Sequence, residues 1–363
     1  MAARSKPSPK RVVYLWGAGA THAEAQHLGA SISLLMPDRD EFGDGIATRI
    51  LRRVKDDIST SFDSGQGVDI EKLISLFAAS GIRKHAQFAD KKRSAYFTEL
   101  CESLSRTKVL DSPRLAIELL KMHSDQTFQE EVETLSGIIT TNHDGLLQTA
   151  SQVVFGKINI GFKFSSTTFS EVRSNSVPPI LQLHGSFTWR FGVPIRVSKL
   201  RENSKVADTV WIPPTILKES KNYPFNKLSG LAYEILAKHC DVLRVVGASL
   251  TQNDWNVLSL IFNAQRHNES TKGTAFRIEL IMPPAAASYI CKECAYLENF
   301  IPPGFLTEGR FAEYKDTDIP PESDMANPFA YWLSEKKEYH RSRSELSAGD
   351  ANEETVQPVG EGT

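Results

Sequence analysis

Five apolar residues in a row, Val12 to Trp16, run directly into the turn Gly17-Ala18-Gly19. A run without polar alternation leaves no face for water, which fits a strand covered on both sides in a parallel sheet. A strand that stops at Gly-x-Gly lets the backbone come close to a pyrophosphate, and a following helix offers its first N–H groups to the anion. Gly17 to Thr21 fall short of the complete G-x-G-x-x-G fingerprint, and no acidic residue stands on a second strand about 20 residues further on. The same residues also suit an ordinary tight turn.

Short strand patterns recur at Gly137–Thr141, Ile180–Leu183, Val242–Val246 and Phe276–Met282. Helical patterns lie between several of them, at Gly145–Val154, Leu228–His239 and Trp255–Gln265. This alternation predicts an α/β chain, a Rossmann-like doubly wound parallel sheet. From about Gly43 to residue 136 the periodicity is helical: Ile46, Ile50, Leu51 and Val54 form one stripe and Ile70, Leu73, Ile74 and Phe77 another, with Asp69 placed to cap the second. Tyr96, Leu100 and Leu104, then Leu115, Leu119 and Leu120, continue it, which predicts a helical insert between the first two strands. Residues 190–226 lack clear periodicity and carry prolines, as a long loop or small irregular subdomain does. The expected organisation is a loose lead-in over 1–10, one domain over 11–335 and a disordered tail over 340–363, rich in Ser, Glu, Gly and Asn.

The 363-residue chain is 40% hydrophobic and 24% charged, with a net charge of −2. Such a balance suits a globular domain and argues against direct nucleic-acid binding by bulk electrostatics. No apolar stretch is long enough to span a bilayer, and the Val12–Trp16 run is too short for a signal-peptide core, so the cytoplasm is the expected location. Four cysteines (Cys101, Cys240, Cys291, Cys294) are too few for a disulfide scaffold.

Three further constellations sit where strand patterns end. Thr140-Thr141-Asn142-His143-Asp144 puts polar side chains at an apolar strand's carboxyl end, where α/β folds hold ligands. Asn142 and Asp144 also suit a chain turn and the cap of a helix starting near Gly145. Leu183-His184-Gly185 offers a histidine suited to general-base work, although a lone histidine serves as readily in packing. Val246-Gly247-Ala248-Ser249, with Asn253 and Asp254 beyond, ends another strand in small residues, and Ser249 has a hydroxyl for a ribose or phosphate.

In this order the four motifs resemble the sirtuin-like superfamily, specifically its prokaryotic branch that cleaves NAD in antiphage defence. Gly17, Ala18, Gly19, Ala20 and Thr21 match the family's Gly-Ala-Gly-x-Ser/Thr turn; Asn142 and Asp144 match its Asn-x-Asp pair. His184 matches the catalytic histidine, and Gly247 and Ser249 the late Gly-x-Ser. Asp69, Ile70 and Glu71 resemble the acidic helix start of the family's helical insert. The resemblance implies NAD as substrate, cofactor contacts from the two glycine motifs, and catalysis by His184 as base with Asn142 and Asp144. It also implies a homo-oligomer and a partner such as a HerA-type translocase ATPase. Deacylating sirtuins carry two Cys-x-x-Cys pairs after the histidine, whereas only Cys291–Cys294 has that spacing here. A four-coordinate zinc site needs twice as many ligands, so no metal is expected, and the acceptor expected is water rather than acyl-lysine. The alternatives are a regulatory subunit that holds NAD or ADP-ribose without turnover, and a protein deacylase or ADP-ribosyltransferase.

Overall fold

The computed structural model describes residues 8–30, 70–107, 109–165, 168–171, 177–190, 196–197, 208–213, 221–250, 254–294, 296–297, 327–338 and 341. Strand β1 (Lys10–Trp16) is central in a five-stranded sheet. On one side it pairs in parallel with β2 (Glu133–Thr140), which pairs with β5 (Ile180–Gln182). On the other side it pairs with β9 (Val242–Val246), followed by β10 (Arg277–Ile281). The chain therefore builds outward from β1 in one direction and then returns to β1's other flank. The order reverses between β1 and β9, and the α/β fold is the doubly wound, Rossmann-like one expected.

The unbroken apolar run of β1 is explained by what covers it. Val13 and Leu15 point into one core with α7 (Phe225–His239) and α8 (Trp255–Lys272); Val12, Tyr14 and Trp16 point into the other. That second core holds α1 (Ala18–His27), α4 (Leu115–Ser124), α6 (Leu146–Phe155) and a helix over 328–338. Between β1 and β2 the described chain is helical throughout: α2 (Ile70–Ala79), α3 (Arg83–Thr107), α4 and α5 (Gln126–Glu131). Residues 43–69 of the expected insert, with the Ile46–Val54 stripe and Asp69, fall outside the described residues, as do 1–7 and the tail beyond 341. The Glu24 carboxylate of α1 accepts the Arg114, Leu115 and Ala116 amides, which caps α4 and ties it to α1.

Several boundaries differ from the periodicity reading, each for a physical reason. Strand β2 begins at Glu133, not Gly137, because its polar start is buried through long-range pairing. Within residues 190–226, β7 (Arg196–Val197) and β8 (Thr209–Trp211) flank β6 (Gly185–Arg190) in a small antiparallel sheet. A hairpin of β3 (Phe162–Ser165) and β4 (Thr168–Glu171) precedes β5. Helix α9 (Pro284–Glu293) follows β10. Among the described residues no helix is long and apolar enough to cross a membrane.

Charge is buried beneath the second core. Arg244 of β9, 1% exposed, donates to both Glu133 oxygens at 2.6 and 2.5 Å, to Glu279 at 2.7 Å and to the Tyr14 hydroxyl at 3.1 Å. Lys336 of the 328–338 helix adds a 2.9 Å bond to Glu133, and Trp332 lies over the guanidinium. Burial by itself pushes Glu133 up, but Arg244 and Lys336 outweigh it and hold the carboxyl well below its usual range. His123, donor or acceptor to Tyr14 at 2.9 Å, is held neutral by burial, its pKa lowered to about 3.

Removing Arg244 strands two buried carboxylates, so Arg244→Met should lose about 3–5 kcal/mol in urea unfolding; an unchanged midpoint would show the cluster to be idle. Glu133 has a folded pKa below its unfolded one, so its contribution is complete above about pH 4.3 and is lost as pH falls further. Circular dichroism during acid titration should show wild-type stability dropping steeply below about pH 4, with a shallower drop in Glu133→Gln.

Candidate functional site

Neighbouring parallel strands lie only about 4.8 Å apart, so the loops leaving β1 and β9 at the same edge press on each other. The Gly17 amide donates to Val246 O at 3.0 Å and the Gly19 amide to Gly247 O at 2.8 Å. A Cβ on Gly17 would lie 2.3 Å from Ala248 Cα, and one on Gly19 2.8 Å from Gly247 O. Gly247 has φ +57°, and a Cβ there would lie 2.3 Å from Ala20 N. All three glycines are thus required by backbone meeting backbone. Of the amides in this turn, those of Gly17, Gly19 and Ala20 donate within the protein. Ala18, at the exposed tip, is the residue the turn presents outward.

The end of β2 is pinned to that turn. Thr140 Oγ1 donates to Trp16 O at 2.7 Å and accepts the Asn142 amide at 3.0 Å. Asn142 Nδ2 then donates to Gly17 O and to Thr21 Oγ1, each at 3.0 Å. Both amide hydrogens are therefore committed, and among the described residues none donates to Oδ1. Asp144 is buried, with Oδ2 accepting Thr21 Oγ1 at 2.8 Å and Oδ1 the Leu146 amide at 3.1 Å. Burial raises its pKa, while Thr21, Leu146 and Asn142 act in the opposite direction. Asp144 caps α6 and fixes Thr21, so it supports the Asn142 loop from behind. Gln182 closes the layer by donating to Asp144 O at 2.7 Å and Asn142 O at 3.2 Å.

His184 follows β5 in a turn and is 3% exposed. Leu183 N bonds Thr140 O at 2.9 Å, and His184 O accepts Ile212 N at 2.8 Å, so the backbone is held on both sides. At Gly185, φ is +75° and a Cβ would meet Val210 O at 2.3 Å, which is why glycine follows the histidine. The His143 ring lies 6.2 Å from His184, stacked on Phe187 at 5.0 Å with Trp211 edge-on at 5.3 Å. Asn256, in the first turn of α8, places Nδ2 3.4 Å from His184 Nε2. Sequence reasoning passed over both neighbours. His143 was legible inside the Asn142–Asp144 motif, whereas Asn256, 72 residues from His184, carried no local signal.

Gly17, Thr21, Asn142 and Asp144 are joined by direct hydrogen bonds, and the His184 ring lies 6.2 Å from that of His143. Gly247 packs into the turn, and Ser249 is exposed in the loop beyond it. Asn253 lies outside the described residues. Compared with known proteins, the chain matches no family model and no curated protein. Among the described residues no group of three or more His, Cys, Asp or Glu is placed to hold a metal ion. Cys294 instead donates to Leu250 O at 3.6 Å, and burial pushes its thiol up. The arrangement holds one oriented carboxamide and one buried imidazole at the carboxyl edge of the sheet, beside the point where strand order reverses.

The loop contact is testable without a ligand. Gly247→Ala combines left-handed strain with a backbone clash and should lower stability by about 2–3 kcal/mol. Gly273→Ala, at φ +77° with nothing within 4 Å, carries the strain alone and should lose only about 1 kcal/mol. Equal thermal shifts in the two variants would contradict the close approach.

Proposed function

We propose that this chain is a sirtuin-like NAD glycohydrolase that releases nicotinamide and ADP-ribose. The observation that carries the reading is the Asn142 amide, locked by Gly17 O and Thr21 at the carboxyl edge of the sheet, next in the chain to His143, whose ring lies 6.2 Å from His184. The order of the four motifs supports it, as does the doubly wound sheet that presents all of them on one edge.

The chemistry suits these groups. Nicotinamide leaves NAD as a cation turned neutral, so the reaction needs no general acid and no carboxylate pair of the kind glycosidases use. The C1′–N bond breaks with its electron pair going to nicotinamide, and a C1′–O bond forms to water. With Nδ2 committed, Asn142 offers Oδ1, an acceptor that holds a ribose hydroxyl or the incoming water by its O–H. His184 takes the proton that water loses and passes it to solvent. Asp144 keeps the Asn142 loop in place. The turn from Gly17 to Thr21, with Gly247 and Ser249, forms the wall towards the pyrophosphate and ribose, with NAD as substrate and no metal.

The biological proposal follows from the same resemblance: a cytoplasmic effector of antiphage defence that depletes NAD, works as a homo-oligomer and is triggered with a HerA-type ATPase partner. Purified protein incubated with NAD alone should release nicotinamide. His184→Ala should slow release by about 10²–10⁴-fold while NAD still binds, and Asn142→Ala should also cripple turnover. Full release by both variants would refute the assignment. Binding without product would make the protein a regulatory NAD or ADP-ribose subunit, and strictly peptide-dependent release a deacylase or ADP-ribosyltransferase.

A further inference from the structure

His184 has two ring nitrogens, and only an unprotonated one can act as a base. Its Nε2 lies 3.4 Å from the Nδ2 of Asn256, a carboxamide nitrogen that can only donate. A donor facing Nε2 requires a lone pair there, which puts the ring proton on Nδ1. The contact is long, so a better donor such as a water or ribose hydroxyl displaces it readily.

The same amide has a second use. Asn256 Oδ1 is buried and makes no hydrogen bond among the described residues. A buried acceptor without a donor is costly. The terminal torsion of asparagine is broad and two-fold, so a half-turn brings Oδ1 towards Nε2. Before proton capture the amide meets Nε2 with N–H, and after capture it meets Nε2–H with its carbonyl oxygen. The carboxamide offers both at one position, whereas aspartate only accepts and leucine does neither.

We propose that Asn256 is a positioning residue that fixes the tautomer of His184, keeping Nε2 unprotonated and ready to receive the proton of the nucleophile. The assignment to catalysis rests on the NAD-cleaving reading, whereas the tautomer itself does not. Nitrogen-15 NMR of histidine-labelled protein at neutral pH, with His184 assigned by loss of its signals in His184→Ala, reads it directly. Wild type should show Nδ1 protonated and Nε2 bare. Asn256→Leu should shift the population to Nε2–H, the form free histidine prefers, and Asn256→Asp should hold a proton on Nε2. With NAD, both variants should lose on the order of tenfold or more in kcat with KM little changed. Thermal unfolding and NAD binding separate this from loss of fold.

Nε2 protonated in neutral wild-type His184, or a tautomer indifferent to both substitutions, would overturn the proposal. So would full kcat in Asn256→Asp, since an acceptor alone would then suffice. A wild-type protein that shows the Nδ1–H tautomer but never releases nicotinamide would uphold the placement of the proton and refute the NAD-cleaving reading.

Discussion

Strands β1 and β9 lie side by side, and the loops leaving their carboxyl ends compete for one volume. The protein resolves that competition with glycine: Gly17 and Gly19 on one loop and Gly247 on the other interlock with backbone hydrogen bonds and no room for a Cβ. Much else at this edge is built on that joint. It presents Gly17 O and Thr21 to the Asn142 amide, and Thr21 in turn holds Asp144. Asp144 and Gln182 then fix the β2 and β5 ends to each other, which sets where His184 stands. The turn thus serves as a structural rivet, with Ala18 exposed at its tip.

Deeper in the sheet a second constraint sets the register. Arg244 of β9 lies opposite Tyr14 of β1 and Glu279 of β10, and it reaches Glu133 at the start of β2. A buried pair of this kind is not a cheap source of stability, because each ion gives up its water. Its contribution is specificity: four strands and the 328–338 helix satisfy the same guanidinium and carboxylates in only one alignment. That alignment puts the carboxyl ends of β1, β2 and β9 level, so the glycine joint and the Asn142 loop meet. The geometry of this edge thus depends on charge packed deeper in the sheet.

The fold was legible where one rule governed. Val12–Trp16 read as a doubly covered strand because both faces are apolar, and β9 likewise, Arg244 excepted. Leu115, Leu119 and Leu120 lie where the helical spacing put them. Elsewhere the deciding partners are far apart in the chain. The start of β2 looked too polar for a strand because Glu133 is buried only through Arg244 and Lys336, 111 and 203 residues on. Phe329, Trp332, Leu333 and Lys336 recur at helical spacing and are buried together. At the site, motif ends located Asn142, Asp144 and His184, but spacing was silent on which amides face inward. It was equally silent on Asn256, which reaches His184 by the packing of α8 across the sheet.

The central claim is that the edge formed by these loops holds the dinucleotide. Amide hydrogen exchange of His184→Ala, a variant meant to bind without turnover, with and without saturating NAD would test it most directly. The account requires slowed exchange in the Trp16–Thr21 turn, the Asn142–Leu146 segment and the Gly247–Leu250 loop, with little change at the opposite end of the sheet around Glu133 and Lys336. NAD binding that leaves those three segments unprotected, or protection confined to another surface, would contradict it.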